Sequence, residues 1–285
     1  MCVTAFYLNP NPSPGTFKFV IVFNRDEYYN RPTQPAAFWE NTNVIAGRDL
    51  QEDRVGGTWL GVSQSGRVAF LLNYFQLSGP DPEAKGRGSL VKDFILGDAS
   101  PEAYTTLVSK EGSLYNPFNL ICIEFRHSKC DAFYYSNKTG EHPTRIEPGV
   151  HGCSNSAFDK PWPKASHVKT KLNEVVSSTS EETEVIQKLF DVFHNDQRLD
   201  GEDSLQLDKA SLKTNQELFS KILPNLIMVN TPVYGTRSTT VVLVKDNNEA
   251  IYVEKYLEEP IDPANYQWKT KEHRFTLREN LTLKL

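Results

Sequence analysis

The chain has 285 residues, 39% of them hydrophobic, with a formal net charge of −5 and a mean hydropathy of −0.48. That length suits one domain, 1–285, with a sizeable core. No run reaches the roughly 18 apolar residues of a membrane span, and the acidic balance without a basic block argues against a nucleic-acid partner.

The N-terminal stretch MCVTAFYLNPNPSPG has neither a basic leader nor a long apolar run, so no secretory signal is expected. Residues 3–8 and 16–23 flank the turn NPNPSPG and read as a hairpin. Strands are expected over 44–47, 59–62 and 68–73, linked by glycine-containing turns. A helix over 89–96 follows, apolar at Leu90, Val91, Phe94 and Ile95. Ser100-Pro101-Glu102 caps a second helix running to about 110. Strands at 119–125 and 131–136 come next, then an irregular segment over 150–163. Helices are expected over 164–176 and 181–195, a polar loop over 200–214 and a short helix over 216–223. The chain ends in strands at 238–245, 250–256 and 272–278. Hairpins dominate, so the expected class is α+β with antiparallel sheets.

The stretch TFKFVIVFNRDE poses the functional question, because an apolar strand breaks into Asn24, Arg25, Asp26 and Glu27. If residues 3–8 pair with 16–23, opposed numbers sum to about 24–26, and Cys2 falls opposite residues 22–24. A cation such as Arg25 lowers a thiol pKa, and thiolate is the nucleophile. Were Met1 removed, the α-amine of Cys2 could serve as the thiol's own base. Asp26 could orient that amine. Asn73, in LLNY, and Arg237, in YGTRSTT, add a strand-end amide and a guanidinium suited to carboxylate or phosphate. Gly56-Gly57-Thr58-Trp59 adds a turn beside a large aromatic. Each also has an ordinary reading as a turn residue, a surface arginine or a tight hairpin. Cys2, Cys122, Cys130 and Cys153 match no zinc spacing, so no metal site is expected.

VFNRDE, GGTWLGV, LLNY, SNSAFDKPWPK and YGTRSTTVVLV, in this order, resemble the NRDE family, also called the transport-and-Golgi-organisation family. The resemblance spans nearly the whole chain. It implies two stacked antiparallel sheets between helical layers, an αββα fold similar to N-terminal nucleophile hydrolases. By the same resemblance Cys2 matches the nucleophile, Arg25 and Asp26 its neighbours, Asn73 and Asn155 two amides, and Arg237 a distal arginine.

Three functions follow from it as expectations. The first is intracellular haem trafficking, with haem as cargo and a link to lipid homeostasis. It is placed in the cytoplasm, also in mitochondria, with Golgi association and transient contact with organelle membranes. None of His127, His142, His151, His167, His194 and His273 lies in a haem motif, so this reading rests on the resemblance. The second is a cysteine amidohydrolase or thioesterase using Cys2, needing no metal or organic cofactor. The third is binding of acyl-CoA or another amphipathic anion. There Arg25, Arg31 and Arg237 would meet the charged groups, and Phe38, Trp39, Trp59 or Trp162 the apolar part. Asn24 and Glu27 are expected to line the same cavity as Cys2.

Overall fold

The computed structural model describes residues 1–278 apart from 77, 127–128, 141, 159–160 and 200–222. The expected loop over 200–214 and nearly all of the expected helix over 216–223 lie outside the described residues.

Two antiparallel sheets form the centre. The first has six strands in the order β10 (Gly149–Cys153), β1 (Val3–Leu8), β2 (Phe17–Tyr28), β11 (Tyr234–Lys245), β12 (Glu249–Leu257) and β13 (Trp268–Thr276). The second has seven: β3 (Thr33–Phe38), β4 (Val44–Asp49), β5 (Leu60–Ser63), β6 (Arg67–Asn73), β7 (Phe118–Arg126), β8 (Lys129–Ser136) and β9 (Thr144–Arg145). Helices α3 (Pro163–Ser178) and α4 (Glu182–Phe193) cover the first sheet, and α1 (Gly88–Leu96) and α2 (Pro101–Lys110) the second.

Strand alternation builds these four layers, because successive side chains point to opposite faces. In β2, Phe19, Ile21 and Phe23 meet Phe70, Leu72 and Ile121 of the facing sheet, while Val20 and Val22 meet Val168, Leu172 and Leu189 of the helices. In the second sheet, Val44, Ala46 and Ala69 turn outward onto Leu90, Val91 and Phe94. Truncating a ring such as the fully buried Phe23 would cost about 3–5 kcal/mol. The expected αββα layering is therefore the observed one.

The details differ from expectation in several places. The quartet Asn24–Glu27 is not a turn after a strand: β2 runs on to Tyr28, because β11 pairs with it as far as Tyr234↔Tyr28. Hydrogen bonding to a distant strand carries extended backbone through a polar stretch. The β1–β2 hairpin pairs Val3 with Asn24 and Leu8 with Phe19, a sum of 27. Continued by one residue, that register brings Cys2 to Arg25 rather than to residues 22–24. The segment expected to be irregular over 150–163 contains β10, which extends the first sheet through Thr4↔Cys153. The edge strand β3 went unseen, since Pro35 interrupts a run that has a partner on one side only. The last strand begins at Trp268, four residues before the expected start. Among the described residues no helix is long and apolar enough to cross a membrane.

Candidate functional site

Alternation divides the quartet between the two faces of β2. Asn24 and Asp26 face the helices; Arg25 and Glu27 face the second sheet. Asn24 is fully buried, and its Nδ2 donates to Phe193 O (2.8 Å) and Ile227 O (3.1 Å) while its Oδ1 accepts from Thr239 Oγ1 (2.6 Å). It ties the sheet to α4 and the 227 segment, and because these partners hold it in the interior it does not border the cleft that Cys2 borders, contrary to expectation.

Cys2 sits on the opposite side, partly buried against the inter-sheet core. The backbone N–H of Asp26 donates to its Sγ at 3.4 Å, and Ser154 Oγ donates to its carbonyl at 2.8 Å. Around it lies a cleft of about 650 Å³, within the range of small-molecule sites. Arg25, Asp26, Glu27, Arg31, Trp59 and Asn73 all border it with Cys2. Its wall is heavily charged. Arg31 holds Asp49 with Nη2 at 2.6 Å and Nε at 3.2 Å, Lys85 and Arg87 stand on the loop into α1, and Arg54, from the turn before β5, donates to Ala84 O of that loop at 3.0 Å. Burial brings the Arg87 guanidinium down to about 10.

Behind Cys2 a cluster of proton-holding groups closes around Asp26. The Met1 α-amine is 3.0 Å from Asp26 Oδ2 and also donates to Tyr234 Oη. Thr236 Oγ1 donates to Asp26 Oδ1 at 2.7 Å, and Tyr234 Oη to Asp26 O at 3.1 Å. Lys164, wholly buried at the start of α3, donates from Nζ to Met1 O at 2.6 Å. Burial acts on the Cys2 thiol, the terminal amine and the Lys164 ammonium towards neutrality. It raises the Cys2 thiol, against the pull of the terminal amine and Arg25. It lowers the terminal amine against Asp26, and lowers Lys164 against Asp26 and Cys2. An amine made less basic beside a thiol made less acidic favours the uncharged pair, so burial alone opposes moving the thiol proton to the amine and the neighbouring charges work against it.

Asn155 and Arg237 stand apart from the cleft. Asn155 is buried and donates from Nδ2 to Asn73 O at 2.6 Å, so it fixes the end of β6. Arg237 belongs to a β-bulge: Thr236 opposes Asp26 and Ser238 opposes Arg25, leaving 237 as the extra residue. A bulge resets the alternation. It turns Arg237 to the Arg25 face, where it borders a small chamber beside the cleft. The neighbouring Gly235 serves another purpose than the flexibility its type suggests: a Cβ there would lie 2.6 Å from Val229 O.

Of the aromatic candidates, Trp59 alone borders the cleft, its ring under the Arg25 guanidinium at 4.0 Å. Trp39 packs in the layer of α1 and α2, Phe38 against Phe275, and Trp162 against Phe75. None of the described histidines borders the cleft, and no metal-binding cluster of His, Cys, Asp and Glu occurs among the described residues. Sequence reasoning missed Lys164 and Tyr234. Both fall inside the quoted motifs, but a lysine in the first turn of a helix reads as solvated, and nothing local signals its burial.

Two stacked antiparallel sheets between helical layers, opening on a charged cleft bordered by Cys2, define an α+β protein of αββα architecture. Within that class the chain belongs to the Transport and Golgi organisation 2 family, whose model matches residues 1–259. It is 35% identical over 285 residues to the mouse Transport and Golgi organization 2 homolog, covering 98% of this chain and all of that one. The human homolog is also 35% identical, over 288 residues, with the same coverage. The Drosophila melanogaster Transport and Golgi organization protein 2 is 30% identical, across 90% of this chain and 92% of its own. Among solved structures, the C2A mutant of conjugated bile acid hydrolase from Clostridium perfringens aligns over 100% of this chain and 99% of its own, at 12% identity and a TM-score of 0.39.

Proposed function

We propose that the cleft binds the acyl end of an amphipathic anion and that Cys2 attacks its carbonyl, as an amidohydrolase or thioesterase. The observation that supports this reading is the position of Cys2 Sγ, 3.4 Å from the Asp26 N–H in a cleft of about 650 Å³. The reactive form is the one without Met1. The Cys2 α-amine then takes the thiol proton as the S–C bond forms, and returns it to the departing amine or thiol as the C–N or C–S bond breaks. Water hydrolyses the resulting thioester and regenerates the thiol. Asp26 holds the amine, and Asn73 offers an amide to the developing oxyanion. Arg31, Arg54 and Arg87 suit the charged part of the substrate.

The test is release of free acid from a long-chain acyl thioester by protein whose mass shows the loss of Met1. A transient acyl adduct on Cys2, absent in Cys2→Ala, is the expected result. No adduct and no acid from fully processed protein would overturn the reading.

A carrier role is the second reading, favoured by relatives named for transport and Golgi organisation. Haem is then cargo, or acyl-CoA is held without turnover, and work at the Golgi, in lipid homeostasis or in the mitochondrion follows from the cargo. Titration of haemin and of a long-chain acyl-CoA into wild type and Cys2→Ala separates these. A Soret shift in wild type supports haem as cargo, and intact acyl-CoA recovered from a stable complex supports simple binding.

A further inference from the structure

Arg25 stands between two compartments. It borders the Cys2 cleft on one side, and with Trp59 and Arg237 it borders a separate chamber of about 70 Å³ on the other. That volume accommodates several non-hydrogen atoms, more than a single water needs.

The chamber wall holds two guanidinium groups, Arg25 and Arg237, and two carboxyls, Glu254 and Glu259. Arg25 is 5% exposed, and its guanidinium donates to Thr33 Oγ1 at 3.2 Å and stacks on Trp59. No carboxylate forms an ion pair with it among the described residues. Arg237 is 4% exposed; one nitrogen pairs with Glu259 and another donates to the carbonyls of Tyr28 and Arg31. Glu254 is the remaining carboxyl on the wall. It is buried, accepts the Ala36 N–H at 2.6 Å, and burial pushes its pKa up. Two donors are also left over: Arg237 Nε and Trp59 Nε1 are both buried without an acceptor among the described residues. Buried N–H groups of this kind are costly unless something accepts from them.

We infer that this chamber is a second binding site, distinct from the Cys2 cleft, for a small carboxylate-type oxyanion held by Arg25, Arg237 and the Trp59 indole. Guanidinium groups match such oxyanions in geometry as well as charge. Because Arg25 serves both compartments, an occupant also weakens the attraction between Arg25 and the Cys2 thiolate and so slows that thiol.

The full chain is titrated with sodium acetate at constant ionic strength, chloride being the replaced anion, and its melting temperature and tryptophan emission are followed. A saturable rise in melting temperature is expected, together with a change in emission. Trp59→Phe keeps the ring under Arg25 but removes the N–H, and it should weaken acetate at least about fivefold by melting temperature. Arg237→Lys should do the same if it folds, and Trp59→Phe decides the matter if it does not. Cys2→Ala should bind acetate as wild type does, so this site stands or falls independently of the hydrolase reading. Decanoate in place of acetate separates two sources: equal affinity identifies a free anion, and much tighter binding identifies the carboxylate end of a longer molecule. An acetate response equal to that of chloride, or one unaltered in Trp59→Phe, overturns the inference.

Discussion

Lys164 Nζ donates to the Met1 carbonyl oxygen across 2.6 Å, joining residues 163 positions apart in the chain. The lysine is wholly buried, and burial lowers its pKa against the opposing pull of Asp26 and the Cys2 sulfur nearby. The start of the chain is thus clamped from α3 on one side and from Asp26 on the other.

Lys164→Met tests that clamp. It leaves the Met1 carbonyl without its donor, at a cost of about 1–3 kcal/mol, and relieves some desolvation of the ammonium in return. A net loss of about 1 kcal/mol is expected in urea unfolding, with Cys2 more accessible to a bulky maleimide. Unchanged stability and unchanged labelling would mean the contact holds nothing in place.

The Cys2 thiol should be slow at neutral pH. Burial outweighs the terminal amine and Arg25 and lifts its pKa, so the thiolate fraction at pH 7 falls below that of free cysteine. Iodoacetamide should modify Cys2 at least about tenfold more slowly than free cysteine at pH 7, with the rate climbing as pH rises. Arg25→Leu removes a favourable cation and should slow it further. Mass spectrometry with Cys2→Ala as control gives the rate; modification faster than free cysteine would show that the cations prevail over burial.

His194, at the end of α4, packs on Trp268 with centroids 4.9 Å apart and ring planes tilted by 50°, and burial with Lys255 nearby lowers its pKa to about 4 from 6.5. Below 6.5 the unfolded chain takes up a proton that the folded one refuses. Stability contributed by neutral His194 is therefore complete above 6.5 and falls as pH drops towards 4. Between pH 7 and pH 5 the loss is about 2 kcal/mol at most. His194→Gln should flatten this part of the urea-midpoint profile against pH; an identical profile would place the titration elsewhere.

Asn24→Leu distinguishes a structural from a ligand-binding asparagine. The change leaves Phe193 O, Ile227 O and Thr239 Oγ1 without their partner in a dry interior. A loss of about 3 kcal/mol in unfolding free energy is expected, with ligand affinity at the cleft unaltered in the folded fraction. A small stability change with a large affinity change would reverse the assignment.

Much of the layer order could be read from local pattern. The period-2 runs at 3–8, 16–23 and 68–73 have apolar residues for both faces of a covered strand, and Ser100-Pro101 marks a helix start that is realised, with Ser100 Oγ accepting the Ala103 N–H. Cys2, Arg25, Glu27, Arg31, Trp59 and Asn73, each singled out from the sequence, all border one cleft. Asn24, Asn155 and Arg237 could not be placed this way. Their orientation depends on which strand pairs where, and a bulge in β11, 210 residues from β2, cannot be seen from either segment alone.

Alternation of side chains and the capping and turn residues are local properties, so the amino-acid order by itself determined most of the strands and helices and the chemical kinds of group available. Register, burial and the bulge depend on contacts between distant segments. Those contacts decided that Lys164 and Tyr234 close on Met1, that Asn24 is internal scaffolding, and that Arg25 divides a cleft from a chamber. Hydrogen bonding and desolvation act through space, and they set each group's direction and protonation only once the sheets have met.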